Sequence, residues 1–171
     1  MQRTPHRRKA PEGPTGQEVE AKVFGDLITA DHIVLGSETD FSRHGDTAAL
    51  VCQDFSTTWI AGYPAPAKSA AESTVSLQHF IGKVKGVHMY TDESAELEAA
   101  CRQLEITQDV STPQRPQNNG VVERAARRAI EGTRCCLLPS GLCHLWLREA
   151  MRAYCYNRNI IDKVDDDKSP C

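Results

Sequence analysis

The chain has 171 residues, 40% hydrophobic and 25% charged, which supports one domain with a real core and excludes a disordered tail. A formal net charge of −3 excludes a uniformly basic coat, so any nucleic-acid contact must be local. The longest wholly apolar run is a few residues, far short of a membrane span, and no apolar stretch of a secretory signal follows the basic opening MQRTPHRRKA.

Residues 1–21 hold Pro5, Pro11, Pro14, Gly13 and Gly16 among basic side chains and read as a flexible basic arm suited to phosphates. From Val23, VFGDLITADHIV is a β-rich segment followed by the polar loop GSETDFSRHGD. TAALVCQDF and TTWIAGYPA are two apolar runs around a short turn at Ser56, a hairpin signature. Ser69 and Glu72 have the spacing of a capping box, opening a helix with Leu77, Phe80 and Ile81 on its buried stripe and Gly82 to Gly86 at its end.

GVHMYTD is a short strand finishing at Asp92, and Ser94 can cap the next helix, where Leu97, Ala100, Cys101 and Leu104 fall at i, i+3, i+4 and i+7. ITQDVS returns as a strand, and TPQRPQNNG reads as a polar, mobile loop. A helix follows from Gly120 to about Cys136, with Val122, Ala125, Ala126 and Ala129 as its small apolar side. A last helix covers about 142–157, and 161–171 form an acidic tail that reads as truncated. Trp59 and Trp146 are expected as core anchors. The order of elements implies an α/β domain with a mixed sheet.

The seven cysteines are odd in number and include no C-x-x-C pair. They are expected as reduced thiols, packed as small hydrophobes in an intracellular protein. CCLLPSGLCH, with His144, lacks the paired ligand spacing of a zinc site.

Three carboxylates stand at telling places: Asp31 inside the first strand, Asp92 at the end of the fourth, and Glu123 in the first turn of the helix after PQNNG. Asp92 can simply end a strand, and Glu123 suits a helix N-terminus. Asp31 is different, because an acid inside an apolar strand is costly unless paired or metal-bound. Three converging acids would repel one another and raise a pKa, a conflict that divalent cations with hard oxygen ligands remove. Two such ions about 3.5–4 Å apart can clamp an in-line phosphoryl displacement. His32, next to Asp31, would point to the opposite face of the sheet as a packed or capping histidine.

The ordered set ITADHIV, DFSTTWIAGYP, YTDESAEL and STPQRPQNNGVVERAARR resembles the catalytic core of retroviral and retrotransposon integrases over about residues 22–160. The resemblance implies an RNase H-like fold, a five-stranded mixed sheet flanked by helices. It implies that Asp31, Asp92 and Glu123 are catalytic and bind two Mg2+ or Mn2+ ions, Asp31 bridging both. Gln117 matches the loop glutamine that touches the DNA end, Asn119 and Gly120 would give that loop its turn, and Arg127 matches a basic residue set against phosphates. Arg124, Arg128 and Arg134 add charge to the same helix, for which the plain alternative is a solvated face with pairs such as Arg127 to Glu131.

The implied activity is 3′-end processing and strand transfer on DNA, with element ends and target DNA as partners, a homo-oligomer as the working form, no membrane, and the nucleus as the place of action. Thirty residues, positions 93–122, separate Asp92 from Glu123, fewer than is usual in the family, and Glu93 follows Asp92 where the family commonly has an Asn-Gly-type turn. The family's His-His-Cys-Cys module and C-terminal DNA-binding domain are absent from the sequence, so a polyprotein fragment is expected. The alternatives are a catalytically inactive nucleic-acid-binding remnant, another RNase H-like nuclease acting on RNA–DNA hybrids, and an oligomerisation module.

Overall fold

The computed structural model describes residues 21–35, 42–110 and 116–161, excepting the side chains of 116–119. The elements are β1 (Ile28–Val34), β2 (Ala48–Asp54), β3 (Ile60–Ala65), α1 (Ala70–Ile81), β4 (His88–Thr91), α2 (Ala95–Gln103), β5 (Thr107–Val110), α3 (Pro116–Ser140), a 3-10 turn (His144–Trp146) and α4 (Leu147–Ile161). The sheet runs β3-β2-β1-β4-β5, with β1, β2 and β3 antiparallel and β4 and β5 parallel to β1. This is the five-stranded mixed sheet with flanking helices that the sequence implies. The arm 1–20, the loop residues 36–41, the segment 111–115 and the tail 162–171 lie outside the described residues.

Strand alternation divides the core in two. Ile28, Ala30, Leu50, Cys52 and Met89 pack beneath α1 and α2 on Leu77, Phe80, Leu97 and Cys101. Ala49, Val51 and Ile60 pack on the other face against Ala125 and Ala129 of α3 and Met151 and Cys155 of α4. Strand β2 is therefore buried along its whole length, which is why its sequence is an almost unbroken apolar run.

Ser69 caps α1 as expected, its Oγ accepting from the Glu72 backbone N–H, and Gly82 closes the helix at φ +64°. Ser73, Thr74 and Ser76 are buried in this helix because each hydroxyl donates to the carbonyl four residues back. At the other end of the molecule, Asn159 of α4 accepts from the Ile60 N–H and donates to its carbonyl. The free hydrogen-bonding groups at the start of edge strand β3 are thereby satisfied. Close helix packing explains two glycines: a Cβ at Gly132 would overlap the Tyr154 ring, and one at Gly62 would meet Met151 Sδ at 2.7 Å.

Four sequence expectations are corrected. Pro116 to Gly120 are helical backbone, so α3 begins before Gly120 and runs past Cys136 to Ser140. A proline needs no intrahelical partner for its nitrogen in a first turn, and its fixed φ suits that place. Helix α4 starts at Leu147 rather than 142, because Gly141 at φ +68° and the 3-10 turn intervene. Ser94 stands at the N-cap of α2, but its hydroxyl donates to Glu96 (2.9 Å) instead of accepting from the backbone. Trp146 is not in the core: it is half-buried under the Arg43 guanidinium, 4.0 Å from the ring centroid.

Trp59 does pack against the α1–α2 core. Cys52, Cys101 and Cys155 are buried free thiols, whereas Cys135 and Cys143 are exposed. Burial pushes the Cys101 and Cys155 thiols up to about 11, so they behave as small hydrophobes. Among the described residues, no helix is long and apolar enough to cross a membrane.

Candidate functional site

The site is built on the junction of β1 and β4. These strands are parallel, and their last paired residues are Ala30 and Thr91. The next residues are Asp31, which continues β1, and Asp92, which follows the end of β4. Asp31 lies opposite Val51, whose side chain faces α3 and α4, so the acid is on that face too.

Both carboxylates are half-buried. Burial, then repulsion from Asp92 and a smaller repulsion from Glu123, raise the Asp31 carboxyl above the usual range; a backbone N–H at His32 and the Lys68 charge only partly oppose this. Asp92 Oδ1 is buried without a hydrogen-bond partner. A buried carboxylate oxygen left bare and a neighbour whose charge is disfavoured form a site short of positive charge.

Glu123 is exposed on α3, two residues before the buried Ala125. With the helix starting at Pro116, it stands about two turns in, not in the first turn, so the helix N-terminus does not explain it. Its charge reaches Asp31, yet among the described residues no three His, Cys, Asp or Glu side chains are gathered closely enough to hold a metal ion. The fold thus pairs Asp31 with Asp92 and leaves Glu123 on the adjoining helix. Hard oxygen donors, one of them unpartnered, in mutual repulsion fit a magnesium or manganese ion better than a softer metal.

The arginines continue along α3. Arg124 and Arg127 are exposed and Arg128 and Ile130 half-buried, and the Arg124 guanidinium lies against Gly120. Among the described residues, Arg124, Arg127, Arg128 and Glu131 make no ion pair, so an Arg127–Glu131 pair does not account for this face. Gln117 and Asn119 belong to the first turn of α3 rather than to a loop, and their side chains lie outside the described residues.

His32 is on the opposite face of the sheet, its Nε2 2.9 Å from Ser73 Oγ, as the alternation of the strand requires. Two site residues escape sequence reasoning. Lys68, just before the α1 cap, pairs with Glu96 in the first turn of α2 at 3.7 Å, and its charge reaches both Asp31 and His32. Lys68 belongs to no motif and Glu96 has no role assigned within YTDESAEL; only the packing of α1 beside α2 joins them.

No protein-family model and no curated protein matches the chain. Among solved structures, the catalytic core domain of BIV integrase matches with a TM-score of 0.61 and 18% identity, covering 84% of this chain and 90% of that one. The chain has the RNase H-like fold of an integrase catalytic core.

Proposed function

We propose that the chain is a divalent-metal-dependent DNA strand transferase of a retroelement, processing a 3′ end and joining it to target DNA. The observation that supports this most is the Asp31–Asp92 pair, set where β4 ends beside the middle of β1 in an integrase-core fold, with the charge of Asp31 disfavoured and Asp92 Oδ1 buried without a hydrogen-bond partner. Asp31 and Asp92, with Glu123 reaching from α3, would hold two Mg2+ or Mn2+ ions. Bound there, the ions would supply activation of the attacking oxygen and stabilisation of the leaving one.

The chain's own part is placement. Two acids on a rigid sheet fix the position of the reacting phosphate, and the unpaired Arg124 and Arg127, with Arg128, offer forked contacts to flanking phosphates. Gln117 and Asn119 would meet the DNA end from the first turn of α3. Joining two ends of one element calls for at least two copies of the chain, and chromosomal DNA as target places the reaction in the nucleus. A second reading, a catalytically inactive DNA-binding remnant, takes its support from Glu123, which stands exposed and apart from the aspartate pair, and from Glu93 beside Asp92.

Thermal unfolding with and without magnesium tests the metal site. The wild type should melt higher with magnesium, and Asp31→Asn should lose most of that gain. An equal magnesium shift in the variant would overturn the shared site. For DNA, Arg127→Ala should weaken binding and lower the salt slope by about 1; an unchanged slope would return Arg127 to a solvated face.

A further inference from the structure

We propose that Lys68 is a phosphate contact for the DNA strand entering the acidic site, held in reserve by Glu96. The inference rests on the strand-transfer reading and adds a residue to it on the opposite face of the sheet. A strand approaching Asp31, Asp92 and Glu123 meets like charge and needs cations on its path. Arg124 and Arg127 supply them from α3, on one face only. The His32–Ser73 hydrogen bond sets the first turn of α1 against β1 on the face opposite Asp31, and Lys68, just before that turn, pairs with Glu96, four residues beyond Asp92. The two sets of cations therefore flank the aspartate pair.

The Lys68–Glu96 pair is built to open. Its atoms are 3.7 Å apart, beyond hydrogen-bonding distance, and the side chains are 42% and 34% exposed. Such pairs contribute little to stability, so exchanging the carboxylate for a phosphate costs little. Glu96 keeps a partner when Lys68 leaves, because the Ser94 hydroxyl donates to its Oε2 at 2.9 Å. Ser94 is available for this because it does not cap α2. Glu96 thus covers the amine in the free protein and remains satisfied after a strand takes it.

The test is fluorescence anisotropy of a labelled branched DNA titrated with the chain over a range of salt. Lys68→Ala should weaken binding several-fold and lower the slope of log affinity against log salt by about 1, and Lys68→Arg should restore both. Glu96→Gln should tighten binding, and that gain should vanish in the Lys68→Ala/Glu96→Gln double variant. An unchanged slope in Lys68→Ala, or a Glu96→Gln gain that persists at full size without Lys68, would overturn the proposal while leaving the strand-transfer reading in place. Wild-type chain that does not bind the DNA would overturn both.

Discussion

Asp46 and Asp31 are both acids drawn into the protein beside the same sheet, and their surroundings push them in opposite directions. Asp46 is fully buried, just before β2. Burial alone would raise its carboxyl, but hydrogen bonds from Arg148 and Ser42 and the charge of Arg148 outweigh it and hold the group below its usual range. The contacts are a two-pronged pair with Arg148, through Nε at 2.8 Å and through Nη2, and the Ser42 hydroxyl at 2.5 Å. Arg43 and His44, in the same turn, bind Glu149, so the segment before β2 is clasped to the start of α4. Asp31 has the reverse setting: burial and Asp92 raise its carboxyl, and only a backbone N–H and the Lys68 charge oppose them. A satisfied buried acid joins parts of a fold, whereas an acid repelled by its neighbour marks a place where charge from outside is wanted.

The largest break in this comparison is Arg148→Ala. It leaves Asp46 buried and unpaired, which should destabilise the fold by about 3 kcal/mol in chemical denaturation. A loss near zero would mean that the Asp46 clasp is ornamental. The pH dependence separates the two acids by sign. The contribution of Asp46, whose folded pKa is lowered, is whole above the unfolded carboxylate value of about 3.9 and is lost as pH falls through the folded one. That of Asp31, whose folded pKa is raised, is whole below about 3.9 and is lost as pH rises through the folded value.

Neutralising each acid therefore sharpens the contrast. At neutral pH and without divalent ions, Asp46→Asn should lower the melting temperature and Asp31→Asn should raise it slightly. The same sign for both would dissolve the comparison. The smallest effect is local: in Asp92→Asn, the Asp31 carboxyl should titrate closer to its ordinary value by NMR, and an unchanged titration would leave burial and the smaller repulsion from Glu123 as the causes.

Much of the fold is legible because alternation and caps are local signals. The apolar runs 48–54 and 60–65, the Ser69 cap and the Leu97, Ala100, Cys101 stripe all have the places expected of them. The start of α3 is not legible, because Pro116, Asn118, Asn119 and Gly120 are individually breakers and only the completed helix accommodates them. Asp31 is visible as an acid in an apolar strand, but its adjacency to Asp92 needs the parallel register of strands far apart in sequence. The same holds for Asp46 with Arg148, 102 residues apart, and for Lys68 with Glu96. Composition places Asp46 in a polar loop; only packing buries it.

The most direct test of the strand-transfer account is the reverse reaction on a branched DNA that mimics the joined product, with manganese or magnesium. Such a substrate arrives with both strands already in place, so it asks only for the chemistry of the site. The account predicts resolution of the branch by the wild type and its loss in both Asp92→Asn and Glu123→Gln. A folded, DNA-binding wild type that leaves the branch intact would contradict it and establish the inactive remnant in its place.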